Sequence, residues 1–140
     1  MKLGTHELPV GAALAPMAGV TDLAFRSVCR ELGAAAAVSE MVSAQALVYQ
    51  DGKTKALLRR ESVPGLYGAQ LFGKDPEVIA KAVPKARALS GCDWIDLNMG
   101  CPTGKIVRNG EGCEIHIIAR FWVTTCFCLN IICKLCSCWQ

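Results

Sequence analysis

The stretch Asp96-Leu97-Asn98-Met99-Gly100-Cys101-Pro102 decides the predicted fold, because it places an amide and a cysteine in a tight turn directly after a short apolar run. Residues 94–97 alternate as a short buried strand does, and Gly100 and Pro102 impose special backbone angles that end it. Cys101 is therefore predicted on a loop at the carboxyl end of a strand. Side chains converge on a ligand at that end of parallel α/β folds, so this thiol is a candidate for chemistry. The structural alternative is a buried cysteine that packs as a small apolar residue.

Three further strand ends precede this one. Strands are predicted over residues 11–15, 34–38 and 65–71, in addition to 93–97. The segments at their carboxyl ends are Pro16-Met17-Ala18, Ser39-Glu40-Met41 and Gln70-Leu71-Phe72-Gly73. Parallel strands deliver their carboxyl ends to one rim, so the four special segments together predict an active-site face.

Helices are predicted between these strands. One begins at Thr21 or Asp22 and ends before Gly33, with an apolar face at helical spacing: Phe25, Val28, Cys29 and Leu32. Residues 42–60 are predicted to be helical in pieces, with Leu57 and Leu58 as apolar contacts.

The clearest predicted helix starts with Asp75 as its cap and Pro76 at its first position, and ends at Gly91. Its predicted buried face is Val78, Ile79, Ala82, Val83, Ala86 and Leu89. Pro84 costs about 3 kcal/mol inside a helix unless a kink accommodates it. Alternating strands and helices predict an α/β fold: a partial, incomplete TIM (β/α) barrel of about four β/α units. Because a closed barrel needs eight units, we expect open sheet edges and a chain that aggregates or dimerises on expression.

The amino-acid composition excludes few classes of function. A chain of 140 residues with 52% hydrophobic content has room for one domain and a core, and a net charge of +3 gives no support for nucleic-acid binding by itself. The first residues lack the apolar core of a signal peptide, so a cytoplasmic protein with reduced thiols is predicted. His6 lies outside every motif, and Cys92 is expected in the core.

The character of the chain changes after Glu114. All 13 glycines, 6 prolines and 12 acidic residues lie at or before that position, while residues 115–140 hold five of the nine cysteines. The predicted divisions are an N-terminal extension over 1–9, a half-barrel over 10–113 and a cysteine-rich tail over 114–140. No further barrel strand is predicted in this tail, and aberrant, out-of-frame translation is the favoured origin. A zinc knuckle at Cys133 and Cys136 and a membrane segment over 121–133 are the alternatives.

These motifs together resemble the tRNA-dihydrouridine synthases, flavin-dependent enzymes that reduce uridine in tRNA. The resemblance covers about residues 10–113. It rests on residues 15–22, Phe25-Arg26, Glu40-Met41, residues 70–73 and residues 96–102 followed by Lys105. It implies an FMN-binding β/α barrel, with NADPH as the electron donor and tRNA as the partner. It implies neither a metal nor a membrane.

The resemblance also implies roles for individual residues. The flavin ring would contact Pro16, Met17, Ala18 and Gln70. Asn98 would lie beside the flavin and the substrate uracil, and Lys105 would bind the tRNA substrate. Cys101 would be the catalytic acid that donates a proton to C5 after hydride reaches C6 of the flipped uracil. A cysteine thiol is mostly protonated at neutral pH, which suits it to this role.

Several assignments remain open at this stage. Glu40 is a strand-end carboxylate with either a structural or a catalytic role, and Lys105 and Arg108 are either phosphate contacts or solvated charges. Dihydroorotate dehydrogenases, which are also FMN β/α barrels acting on a pyrimidine C5–C6 bond, are an alternative family. A non-catalytic, zinc-binding interaction module is an alternative of another class.

Overall fold

The computed structural model describes residues 2–3, 6–7, 11–49, 52–99, 101, 104–108 and 131–134. The strands within these ranges are β1 (Lys2–Leu3), β2 (His6–Glu7), β3 (Ala13–Leu14), β4 (Ala36–Val38), β5 (Val42–Ser43), β6 (Leu66–Phe72), β7 (Trp94–Asn98) and β8 (Ile131–Lys134). The helices are α1 (Leu23–Glu31), α2 (Ala44–Val48), α3 (Gly52–Leu57), α4 (Pro76–Ser90) and α5 (Gly104–Arg108). The four predicted barrel strands are present, with bounds that differ by one or two residues from the predicted ones.

The strands form a parallel sheet in the order β3-β4-β6-β7-β8, and β5 pairs with the end of β6. β1 and β2 form a separate antiparallel pair. Helices connect neighbouring parallel strands, as β/α units require. The predicted fold class, a partial TIM barrel, is confirmed.

The core lies between the sheet and helices α2 and α4. It contains Leu47 of α2, Leu58 after α3, Leu71 of β6 and Ile95 of β7, each at most 2% exposed. The predicted contact role of Leu58 is thus confirmed, and Leu57 packs against the same cluster. Cys92 is also a core residue, as expected.

Helix α4 matches its sequence signals closely. The Asp75 carboxylate accepts a hydrogen bond from Glu77 N (2.8 Å), and Gly91 ends the helix in the left-handed conformation with φ 59°. The predicted face is buried at Ile79, Ala82, Val83 and Ala86, whereas Leu89 is 46% exposed because it lies at the edge of this face. Pro84 is accommodated inside the helix.

Helix α1 buries two arginines and leaves most of its apolar face exposed. Asp22 caps the helix, as predicted. However, the apolar residues Phe25, Val28 and Leu32 are 42%, 51% and 83% exposed. The residues of α1 that are buried are Arg26 and Arg30. The helix turns its charged face inward because a buried carboxylate lies there to receive both guanidinium groups.

That carboxylate belongs to Glu61. Its two oxygens accept hydrogen bonds from Arg26 Nε (3.1 Å) and Arg30 Nε (3.0 Å), and all three side chains are at most 2% exposed. Arg26 also donates to Thr21 O (2.7 Å) and Arg59 O, and Arg30 donates to Ala34 O (3.0 Å) and Leu66 O. The cluster therefore ties α1 to the loops on both sides of it. Such charges are stable in a core only when they are paired and hydrogen-bonded.

The cysteine-rich tail contains one strand within the described residues, β8. β8 pairs in parallel with β7, with Ile95 opposite Ile131. The prediction that residues 115–140 carry no further strand is therefore wrong at 131–134, where two adjacent β-branched isoleucines favour strand structure. The assignment of 114–140 as a part foreign to the fold stays a prediction, and residues 109–130 and 135–140 lie outside the described ranges.

None of the helices in the described part of the chain has both the length and the apolar character needed to cross a bilayer.

Gly68 in β6 gives a test of the sheet packing. A Cβ atom at this position would overlap the indole ring of Trp94 on the neighbouring strand. We expect Gly68→Ala to lower the free energy of unfolding by about 1–3 kcal/mol, because the indole must leave its packed position. Gly52→Ala is the control, since nothing lies near its Cβ direction. Equal denaturation midpoints for the two variants would contradict this packing.

Candidate active site

The carboxyl ends of β3, β4, β6 and β7 lie along one edge of the parallel sheet. The segments predicted to form the site follow these ends or lie within them. Gln70 belongs to β6 and Asn98 is the last residue of β7, while Glu40 and Met17 lie on the loops after β4 and β3. The topology thus brings the predicted segments to one edge.

The loop after β3 is held in a tight turn by Thr21. The Thr21 hydroxyl accepts a hydrogen bond from Met17 N (2.9 Å) and donates one to Met17 O (3.1 Å). Thr21 N and Val20 N donate to the same carbonyl at 2.9 and 3.1 Å. Within this turn Pro16 is half-buried and Ala18 is exposed, while the Met17 side chain is 58% exposed. A rigid turn that exposes a methionine offers an apolar surface to a flat ring.

Glu40 joins this turn to the next strand end. Its Oε1 accepts a hydrogen bond from Gly19 N at 2.6 Å. Gly19 has φ 75°, a conformation that glycine adopts without strain. This contact therefore supports a structural role for Glu40.

The centre of the edge is a network of amides around a buried carboxylate. Gln70 Nε2 donates to Asp96 Oδ2 (2.6 Å), and Asn98 Nδ2 donates to Gln70 Oε1 (3.2 Å). The Gln70 backbone N–H donates to Ser39 Oγ at 2.9 Å. Gln70 and Asp96 are only 7% and 3% exposed. The predicted site residues Gln70 and Asn98 are thus in direct contact.

Cys101 is half-buried and follows Asn98 by three residues. Lys105 lies in α5, and its side chain is outside the described residues, as are Gly100 and Pro102. Arg108, in the same helix, is exposed and donates to Gly104 O (3.0 Å). Cys101 and α5 therefore follow the carboxyl end of β7 closely in the sequence.

Gln70 also contacts Asp96 and Ser39, to which the sequence-based prediction gives no role. A signal was available for Asp96. It is two residues before Asn98 and therefore lies on the same face of the strand, and it pairs in register with Gln70. Ser39 gave no comparable signal, because its contact depends on how β4 and β6 align.

The donor set of this edge fits a flavin ring. The imide edge of a flavin presents one N–H between two carbonyl oxygens, and carboxamides such as Gln70 and Asn98 supply both donors and acceptors. The exposed Met17 side chain is apolar, which is the chemistry that the face of such a ring requires.

The described ranges contain no group of three or more residues that could together bind a metal ion. Of the pair suggested as a zinc knuckle, Cys133 lies in β8 and Cys136 falls outside the described residues.

Thiol reactivity provides a test of the different burial of Cys92 and Cys101. Burial raises the pKa of Cys92, and only 9% of this residue is exposed, whereas Cys101 is half-buried. Because the thiolate is the reactive form, we expect iodoacetamide to label Cys101 at least tenfold faster than Cys92 in the folded chain. Peptide mapping by mass spectrometry measures both rates. Equal rates under native conditions would contradict the burial of Cys92.

The fold and the edge network define a class: half of a parallel β/α barrel with a network of polar side chains at its strand ends. Comparison with known sequences identifies the family. A profile of the dihydrouridine synthase (Dus) family matches residues 13–119, and the chain belongs to this family. The resemblance found in the motifs is thereby confirmed, and it decides against the dihydroorotate dehydrogenases.

Individual relatives agree with this assignment. The chain is 39% identical over 112 residues to tRNA-dihydrouridine synthase B of Serratia marcescens, a match that covers 80% of the chain and 33% of the relative. It is 38% identical over 112 residues to the protein of the same name in Escherichia coli K12, with 80% and 35% covered. A probable tRNA-dihydrouridine synthase of Helicobacter pylori is 42% identical over 99 residues, with 71% and 30% covered. The chain spans about a third of the length of these relatives.

Proposed function

We propose that this chain is part of a flavin-dependent tRNA-dihydrouridine synthase, which reduces the C5–C6 bond of uridine in tRNA with FMN and NADPH. One observation carries the proposal: Gln70 and Asn98 contact each other beside Asp96 at the strand ends of a chain that belongs to the Dus family. Because tRNA is the proposed substrate, we also propose a cytoplasmic location.

Each of the predicted site residues has its own role in this proposal. Pro16, Met17 and Ala18 form the apolar contact with the flavin ring, and Gln70 hydrogen-bonds to its edge. Asn98 orients the uracil, and Lys105 meets the RNA backbone. FMN, when bound in its reduced state, supplies the hydride for C6 of the uracil.

Cys101 then acts as the general acid. Hydride addition at C6 leaves negative charge at C5 and the adjacent carbonyl of the uracil. The Cys101 thiol transfers its proton to C5, which completes the saturated bond and leaves a thiolate that solvent reprotonates. The target base must leave its stack for this transfer, since a base inside an RNA stack cannot reach groups at the strand ends.

We propose that the chain binds FMN weakly on its own. The contacts assigned above involve the ring alone, and ring contacts without a phosphate anchor give limited affinity. The remaining length of the relatives supplies the phosphate contacts in this proposal.

A hybrid enzyme tests the function. Residues 13–108 replace the matching segment of the Escherichia coli relative, and the hybrid is incubated with FMN, NADPH and tRNA that lacks dihydrouridine. We expect dihydrouridine in the tRNA, detected by mass spectrometry of its nucleosides. A hybrid that folds and binds flavin but forms no dihydrouridine contradicts the proposal. The unaltered relative is the control.

A further inference from the structure

Asp96 is a buried carboxyl group at the strand ends to which the proposed reaction gives no role. It lies in the middle of β7, is 3% exposed, and pairs in register with Gln70. Burial of a carboxylate is costly unless its oxygens receive hydrogen bonds, and Gln70 Nε2 supplies one at 2.6 Å.

The chemistry of a carboxylate gives this contact a direction. A carboxylate can only accept hydrogen bonds, whereas a carboxamide donates from its nitrogen and accepts at its oxygen. Gln70 must therefore turn its NH2 group toward Asp96. Its Oε1 is then directed away from Asp96, where it accepts from Asn98 Nδ2 at 3.2 Å. The order of donors and acceptors along all three side chains follows from the hydrogen-bond acceptor at one end, the Asp96 carboxyl oxygen.

We propose that Asp96 is a positioning residue, which fixes the donor–acceptor order of the Gln70–Asn98 pair and thereby selects ring ligands with a matching hydrogen-bond pattern. An imide edge, as in flavin or uracil, has a fixed sequence of acceptor, donor and acceptor. A carboxamide pair held in one order binds such an edge selectively, because the reversed order places donors against donors. The inference rests on the proposed function for its choice of ligand.

Two substitutions separate this role from simple packing. Asp96→Asn keeps the shape but allows the residue at 96 to offer either an NH2 group or an oxygen, so the order at Gln70 and Asn98 is no longer fixed. Asp96→Asn combined with Gln70→Glu restores a single order. The carboxylate then lies at position 70, where it accepts from the new amide at 96 and still accepts from Asn98.

The measurement is the side-chain amide spectrum of the ¹⁵N-labelled 140-residue chain, recorded on the soluble monomer or dimer fraction that size-exclusion chromatography separates from aggregates. In the unaltered chain we expect one set of signals each for Gln70 and Asn98, with slow exchange of the Gln70 NH2 protons compared with those of the exposed Gln45. In Asp96→Asn we expect both sets to shift or double. In the double variant Asn98 should return to one set. Asp93→Asn, a matched change at a carboxylate that contacts Tyr67 N and Arg60 instead, should leave both sets unchanged.

Unchanged Gln70 and Asn98 signals in Asp96→Asn would overturn the inference, as would doubled Asn98 signals in the double variant. If Asp96→Asn unfolds the chain, the double variant decides: a folded double variant with one Asn98 set supports the role, and an unfolded one overturns it.

A titration with FMN, monitored by flavin fluorescence, tests the ligand-selecting part of the proposal. We expect the dissociation constant to rise about tenfold in Asp96→Asn and to stay within twofold in Asp93→Asn; equal constants for Asp96→Asn and the unaltered chain would overturn the ligand-selecting part. An unaltered chain that shows no binding even at millimolar FMN contradicts the proposed ring contacts, whereas the amide signals still decide the role of Asp96.

Discussion

Replacing Cys101 with alanine in the hybrid enzyme is expected to slow dihydrouridine formation by about 10²- to 10⁴-fold, the range that a positioned general acid contributes. The variant has no thiol at position 101 to donate a proton to C5 of the uracil, where negative charge develops. Flavin content should not change, since Cys101 has no assigned flavin contact.

Cys29→Ala is the matched control for this experiment. Cys29 is also half-buried, but it lies in α1, away from the strand-end loops. We expect its replacement to change the rate less than twofold. A Cys101→Ala hybrid that retains a rate within threefold of the parent would show that the proton comes from another group.

The second large effect concerns stability. Glu61→Gln is expected to lower the free energy of unfolding by about 3–5 kcal/mol, because it leaves Arg26 and Arg30 buried without an opposite charge. A domain of this size has about 5–15 kcal/mol in total, so the loss is a large fraction. Urea denaturation followed by circular dichroism measures it. Glu31→Gln, at an exposed position of α1, is the control, and equal midpoints for the two variants would contradict the account.

The same cluster predicts the response to acid. Burial alone would raise the pKa of Glu61, but its backbone hydrogen bond and the hydrogen bonds from Arg30 and Arg26 outweigh burial and lower the pKa below its ordinary value of 4.5. A lowered carboxyl pKa means that the unfolded chain binds the proton more readily. The stabilisation is therefore complete above the ordinary value and is lost as the pH falls through the lower value of the folded state. Glu61→Gln should remove this part of the acid sensitivity.

Much of the strand-end geometry could be predicted because it depends on local signals. Turn residues and apolar runs locate the strands, and parallel β/α topology brings their carboxyl ends together. Asp75 and Gly91 mark the bounds of α4 for equally local reasons of cap chemistry. The contact between Gln70 and Asn98 follows once β6 and β7 are known to be neighbours.

The packing of α1 could not be predicted in this way. Its apolar periodicity indicates a buried face at Phe25 and Val28, yet those residues are exposed. What decides the orientation is Glu61, which is 35 residues beyond Arg26, and nothing local marks this carboxylate as buried. Long-range ion pairing overrides amphipathic pattern in this helix. The pairing of β8 with β7 was missed for a similar reason, since the composition of the tail gave no indication of its partner.

The most direct test of the central claim is to map where ring ligands bind this chain. Backbone amide shifts of the ¹⁵N-labelled chain are recorded with millimolar FMN and, separately, with a short uridine-containing RNA. Both ligands are expected to shift the signals of the strand-end residues Met17, Gln70, Asn98 and Cys101, and to leave those of the outer face of α4 unchanged. Shifts confined to α4, or FMN shifts that do not involve Gln70 and Met17, would contradict this claim.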